Sequence, residues 1–150
     1  MPSIDLTGKA AVVTGSGRGL GLAYAHALAA HGARVVVNDI DEAVAEQAVK
    51  SITAAGGTAV AEVVPVGTTE AADRLVGRAV AEFGRLDVLV TNAGILRDKV
   101  LWKMADDDFD AVITTHLKGT FTCARAAAAF APYVDAMRNG PLGAFSSRRL

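Results

Sequence analysis

Thr14-Gly15-Ser16-Gly17-Arg18-Gly19-Leu20-Gly21 decides how this chain folds. It follows Ala10-Ala11-Val12-Val13, a short apolar run of the kind buried in a parallel sheet. It precedes Leu22-Ala23-Tyr24-Ala25-His26-Ala27-Leu28-Ala29-Ala30, a helical run closed by Gly32. A glycine-rich turn between a buried strand and a helix start is a place to hold an anion. The first N–H groups of the helix lack an intrahelical acceptor, and the helix dipole adds positive potential there. Glycines let the backbone turn tightly and approach a pyrophosphate. The spacing is Thr-Gly-x-x-x-Gly-x-Gly, with Gly15, Gly19 and Gly21 in register. Leu20 stands where a G-x-G-x-x-G pattern would place its third glycine. No Gly-Lys-Ser/Thr closes the turn, so it is not the phosphate loop of an NTPase. The plain alternative is an ordinary glycine-rich turn between strand and helix.

Outward from this turn, strand and helix signals alternate. The first strand covers residues 9–14, and Arg34-Val35-Val36-Val37-Asn38 forms the second, ending at Asp39. Asp41 is placed to cap a helix running to about residue 55, with Val44, Ala48 and Ile52 on one face and Gly56-Gly57 as its stop. A third strand follows at about 59–64. Thr69 opens a third helix, whose Leu75, Val76, Ala79, Val80 and Phe83 keep helical spacing up to Gly84. A fourth strand at 86–90 runs into Thr91-Asn92-Ala93-Gly94. Right-handed crossovers then predict a Rossmann-like α/β fold: a doubly wound parallel sheet in three α/β/α layers. The expected strand order is 3-2-1-4, with a crevice between strands one and four.

Asp106-Asp107-Asp108 put negative charge at the start of a fourth and longest helix. They read as a solvated helix start rather than a metal site. Phe109, Val112, Ile113, His116, Leu117, Thr120, Phe121 and Ala124 form an apolar stripe, and the helix continues to about residue 134. That stripe and the alanine-rich surface around it cannot all face the sheet, so part needs another cover. After Asp135 the pattern fails, with Arg138-Asn139-Gly140-Pro141-Leu142-Gly143 rich in turn residues. The organisation expected is an incomplete nucleotide-binding domain at 1–135, cut short after the fourth strand and long helix, and an irregular basic tail at 136–150.

Composition narrows the function. The chain has 150 residues, enough for one domain with a real core, and 51% of them are hydrophobic. A net charge of −1 gives no electrostatic case for nucleic acid or an anionic membrane. Cys123 is the only cysteine, which excludes an intrachain disulfide. His26, His31 and His116 lack metal-ligand spacing, so no metal site is expected. No leader pattern opens the chain and no apolar stretch is long enough to span a membrane. The terminal Ser147-Arg148-Arg149-Leu150 departs at Arg148 from a peroxisomal signal. The chain reads as soluble and cytoplasmic.

Asp39 stands just beyond the second strand, eighteen residues past Gly21. An acid there accepts hydrogen bonds from the adenosine ribose hydroxyls of a dinucleotide and repels a 2′-phosphate, which favours NAD over NADP. Arg18 pulls the other way, since a basic residue in the turn could pair with that phosphate. Asp39 weighs more, because a carboxylate beside a phosphate costs affinity while an exposed arginine turns to solvent. Asp39 also reads as a helix-capping residue, and the two roles are compatible. Asn92-Ala93-Gly94, at the carboxyl end of strand four, leaves room for a ring or ribose, and Asn92 can tie neighbouring strand ends together.

These motifs resemble the short-chain dehydrogenase/reductase family. Val36-Val37-Asn38-Asp39, Asn92-Ala93-Gly94-Ile95-Leu96-Arg97-Asp98 and His116-Leu117-Lys118-Gly119-Thr120-Phe121 are similar to the 3-hydroxyacyl dehydrogenase domain of peroxisomal multifunctional enzymes and bacterial relatives. The resemblance spans about residues 5–135. It implies hydride transfer between NAD and a secondary alcohol or ketone, with a 3-hydroxyacyl substrate as one candidate. It also implies a cofactor site at Gly15, Ser16, Gly17, Arg18, Gly19, Leu20, Gly21, Asp39, Asn92, Ala93 and Gly94. His116 stands where most members have an asparagine that anchors a water chain to the catalytic lysine, and the multifunctional subgroup has histidine there, so the resemblance makes His116 the candidate catalytic residue. The competing reading of His116 is a packed core histidine on the apolar stripe. Gly67 stands near the position of an aspartate that often binds the adenine amino group. The family's Tyr-x-x-x-Lys is absent: position 28, four beyond Tyr24, is Leu28, and position 137, four beyond Tyr133, is Met137. Ser147 is a weak match for the family's site serine. Truncation or a frame change after about residue 135 would account for the tail. The resemblance further implies a homo-oligomer through the long fourth helix. The rival reading is a non-catalytic nucleotide-binding or oligomerising fragment.

Overall fold

The computed structural model describes residues 4–130. Strand β1 (Ala10–Val13) leads through the glycine turn into helix α1 (Gly19–Ala30). Then follow β2 (Arg34–Asp39), α2 (Glu42–Ala54), β3 (Thr58–Val63), α3 (Thr69–Phe83) and β4 (Val88–Val90). The four strands form one sheet in the order β3-β2-β1-β4, and each neighbouring pair is parallel. This is the Rossmann-like arrangement expected from the alternation of strand and helix.

Alternation along β1 sorts the core into two layers. Ala10 and Val12 face α3 and the segment that carries Cys123, among Leu75, Val76 and Cys123. Ala11 and Val13 face α1 and α2, among Ala25, Ala45 and Ile52. A strand buried on both faces has no polar side, which is why the run is all Ala and Val. Alanines on α1 and α2 let those helices lie close to the sheet. The inward residues of α2 are Ala45, Ala48 and Ile52, so Val44 turns out one position off the expected face. The helix caps match the sequence: Asp41 accepts from the Val44 N–H at 3.2 Å, and Gly84 ends α3.

Beneath the sheet, Asp87 ties β4 to β1. Its carboxylate accepts from the Ala10 N–H at 2.9 Å and from Arg85 Nε at 2.7 Å, with Lys9 Nζ 3.4 Å away. The Arg85 guanidinium, helped by the Ala10 N–H and Lys9, outweighs burial and holds this carboxyl down at about 2.

The fourth helix departs from expectation. It begins as α4 (Asp106–Ile113), widens into a π turn at Thr114–Lys118, and resumes as α5 (Gly119–Phe130). The π turn lies against the segment after β3. A Cβ at Gly67 would stand 2.6 Å from Thr114 Cγ2, and one at Gly119 would stand 3.0 Å from Val66. Of the three starting aspartates, Asp108 is more than a solvated charge. Its carboxylate accepts from the Ala105 N–H at 3.1 Å and from Lys99 Nζ at 2.6 Å, contacts that lower its pKa.

The apolar stripe points outward. Phe109, Leu117 and Phe121 are 56%, 65% and 58% exposed. The inward face consists of smaller residues, Gly119, Thr122, Cys123 and Ala126. Burial pushes the Cys123 thiol pKa up, so it stays protonated and unreactive. Tyr133, Ser147, the expected continuation of the fourth helix to about residue 134 and the 136–150 tail lie outside the described residues.

Candidate functional site

The glycine turn sits where the winding of the sheet reverses, above β1 with β4 alongside. Backbone at Gly15 and Gly19 is left-handed, with φ of +60° and +56°. Close approach matters as much as conformation. A Cβ at Gly15 would stand 2.8 Å from Ala93 Cα, and one at Gly21 would overlap the Gly15 carbonyl oxygen. The turn can therefore press against the 92–94 segment and the helix can start directly beneath it. No side chain caps α1, and no acidic residue stands in its first turn. Its leading N–H groups remain available to an anion, as a pyrophosphate site requires.

Asn92 binds the two strand ends together as expected. Its Nδ2 donates to the carbonyls of Thr14 at 3.1 Å and Gly15 at 3.0 Å. Thr14 Oγ1 in turn accepts from the N–H groups of Asn92 and Ala93, each at 3.0 Å. Asn38 is the residue that sequence reasoning missed. It is buried, donates to the carbonyls of Glu62 at 3.1 Å and Val64 at 2.9 Å, and accepts from the Gly15 N–H at 3.3 Å. It thus joins the turn, β2 and the end of β3. A polar residue closing a run of three valines was the available signal.

Over this frame lies a cleft of about 500 Å³. Of the residues expected at the site, Gly15, Arg18, Asp39, Asn92, Ala93 and Gly94 line it. Ser16 is fully buried: its hydroxyl donates to the Val13 carbonyl at 2.6 Å and accepts from the Asn38 N–H at 3.1 Å. Gly17 backs onto Asp39. Gly19 and Leu20 open α1, with Leu20 63% exposed, and Gly21 lies behind the turn. Val64, Pro65, Val66 and Ile40 add an apolar wall that the sequence reading did not anticipate. Gly67 packs on Thr114, where an added Cβ would stand 2.6 Å from Cγ2.

Asp39 is 7% exposed, and its Oδ1 accepts from the Asp41 N–H at 3.1 Å. Arg18 Nη2 lies 4.0 Å from the same oxygen, with its own side chain 71% exposed. The carboxylate is fixed while the guanidinium is free to swing.

His116 is exposed, which corrects the reading of a packed core histidine. Its ring lies against Gly94, where a Cβ would stand 2.6 Å from Cε1. Nε2 is 3.1 Å from the Ile95 nitrogen and 2.9 Å from the Ile95 oxygen. One neutral tautomer accepts from that N–H, and the other donates to that carbonyl. Either way the ring holds the strand-four loop at the cleft rim. Among the described residues no three His, Cys, Asp or Glu side chains gather as a metal site.

Strand order, glycine turn and cleft define a nucleotide-binding α/β protein of the Rossmann type. The family model for the short chain dehydrogenase matches residues 9–141, and the chain belongs to that family. It is 48% identical over 131 residues to hydroxyacyl-CoA dehydrogenase ChsB1 of Mycobacterium tuberculosis, covering 84% of this chain and 41% of the relative. It is 43% identical over 129 residues to peroxisomal multifunctional enzyme type 2 of Mus musculus, covering 80% of this chain and 17% of that one. A short chain dehydrogenase structure from Mycobacterium avium superposes with a TM-score of 0.83 at 44% identity, covering 93% of this chain and 50% of its own. One from Burkholderia cenocepacia, solved in complex with NADP, gives 0.80 at 37% identity, covering 84% and 52%. The chain spans less than half the length of these curated relatives.

Proposed function

We propose that this chain is the cofactor-binding part of an NAD-preferring oxidoreductase acting on a secondary alcohol or ketone, with a 3-hydroxyacyl thioester as the favoured substrate class. In this reading residues 1–135 form the cofactor domain. The observation that carries it is Asp39, a fixed and nearly buried carboxylate at the cleft beside the glycine turn. The residues fit the group: uncapped N–H groups of α1 for the pyrophosphate, Asp39 for the ribose hydroxyls, the Val64–Val66 wall for the adenine, and Asn92, Ala93 and Gly94 for the nicotinamide side. NAD supplies the hydride acceptor when bound. The chain's own part is to bind and orient it, with His116 steadying the Ile95 backbone at the rim.

Proton transfer needs a group that these 150 residues do not carry in the family's form, since Tyr-x-x-x-Lys is absent. A second reading is a non-catalytic nucleotide-binding or oligomerising fragment, supported by the outward apolar stripe of the fourth helix. The single cysteine fits a reducing, cytoplasmic setting. The outward stripe of the fourth helix supports a homo-oligomer. Calorimetric titration tests the cofactor reading. NADH should bind more tightly than NADPH, and Asp39→Ala should narrow the difference by about tenfold. Tighter binding of NADPH to the unmodified chain would overturn it.

A further inference from the structure

We infer that Gly17 is a specificity-determining residue for the cofactor, acting by leaving open the space in which the Asp39 carboxylate stands. The inference rests on the NAD-preferring reading above and adds to it a role for the side chain that Gly17 lacks. Gly17 lies mid-turn, where the backbone needs no left-handed conformation. Conformation therefore does not explain the glycine, but space does. A Cβ there would stand 2.5 Å from Asp39 Oδ2, 2.6 Å from Val44 Cγ1 and 3.0 Å from Asp39 Cβ.

Both obstacles belong to the corner between β2 and α2. Asp39 Oδ1 accepts from the Asp41 N–H, and Asp41 in turn caps α2 by accepting from the Val44 N–H. The corner is thus tied along its length, and a methyl group at position 17 cannot be absorbed by one loose side chain. The readiest adjustment is rotation of the Asp39 carboxylate away from its seat. That moves the charge that repels a 2′-phosphate. It also leaves Arg18, whose Nη2 lies 4.0 Å from Asp39 Oδ1 and which already swings freely, to meet that phosphate without a competing carboxylate. One added methyl group then changes the disposition of two charges, both in favour of NADPH.

The test is calorimetric titration of the full chain with NADH and with NADPH, for the unmodified protein, Gly17→Ala, Asp39→Ala and the double variant Gly17→Ala/Asp39→Ala. Gly77→Ala, in α3 with nothing within 4 Å of its added Cβ, serves as a control. Gly17→Ala should shrink the NADH-over-NADPH affinity ratio by about tenfold while Gly77→Ala leaves it unchanged. The double variant should match Asp39→Ala alone, because with the carboxylate gone nothing remains for position 17 to place. Circular dichroism reports whether Gly17→Ala folds. If it does not, Gly17→Ala/Val44→Ala, which removes the second obstacle and keeps the first, is read by the same criteria. A ratio unchanged by Gly17→Ala while Asp39→Ala narrows it overturns the inference alone. So does a double variant whose effect is the product of the two singles. No preference for NADH in the unmodified chain overturns the cofactor reading, and this inference with it.

Discussion

Asp87 and Asn38 stand at opposite ends of the sheet and do the same kind of work, joining strands through a side chain where backbone pairing stops. Asp87 carries a dependence on pH. Its folded pKa of about 2 lies below the ordinary carboxylate value, so its contribution is complete above about pH 5 and fades as pH falls toward 2. The contribution is at most about 2 kcal/mol, and nearer 1 because Arg85 and Lys9 are themselves 42% and 46% exposed and screened by water. Urea midpoints measured from pH 7 down to 2.5 should show Asp87→Asn less stable at neutral pH and converging on the unmodified protein at the acid end. A constant gap across that range would show the pairing to be wrong. The Gly turn and Asp39 were legible in the sequence because their spacing is short and local. Asn38 was not, since its partners Glu62 and Val64 come from β3 and become neighbours only when the sheet forms.

At the scale of elements, α3 offers the cleanest test of helix physics. Gly77 lies inside it with nothing within 4 Å of an added Cβ. Gly77→Ala should stabilise the protein by about 0.5–1 kcal/mol, through helix propensity and a less free unfolded chain. Thermal melts by circular dichroism check this, and a lowered melting temperature would contradict it. The fourth helix shows why periodicity informs only partly. Spacing identified an apolar stripe, but an apolar face is drawn equally to a core and to a partner, and spacing does not say which. The inward face was set by size instead: Gly119, Cys123 and Ala126 let α5 close onto α3 and the sheet, where Phe121 would not fit. The π turn was invisible because it packs against Gly67 and Val66, about fifty residues earlier.

For the whole molecule, the outward stripe and the loop before it leave large apolar side chains in water. Phe109, Leu117 and Phe121 on the helix are joined in exposure by Leu96, Leu101 and Trp102 at 81%, 84% and 83%. Such surface drives association. Light scattering after size exclusion, run across a dilution series, should show a mass above that of one chain that falls on dilution, and Leu117→Lys should shift the balance to monomer. A monomer at every concentration would refute the oligomer proposed above. Trp102 is the chain's only tryptophan, and it sits in a single 3₁₀ turn at Leu101–Lys103. An indole already in water has little to gain from unfolding, so its emission should sit near that of free tryptophan in the folded monomer and barely move in denaturant. A blue shift at high protein concentration, lost on dilution, would mark this face as covered by another copy. Intrinsic fluorescence should therefore follow assembly and be nearly silent to folding, the reverse of its usual use.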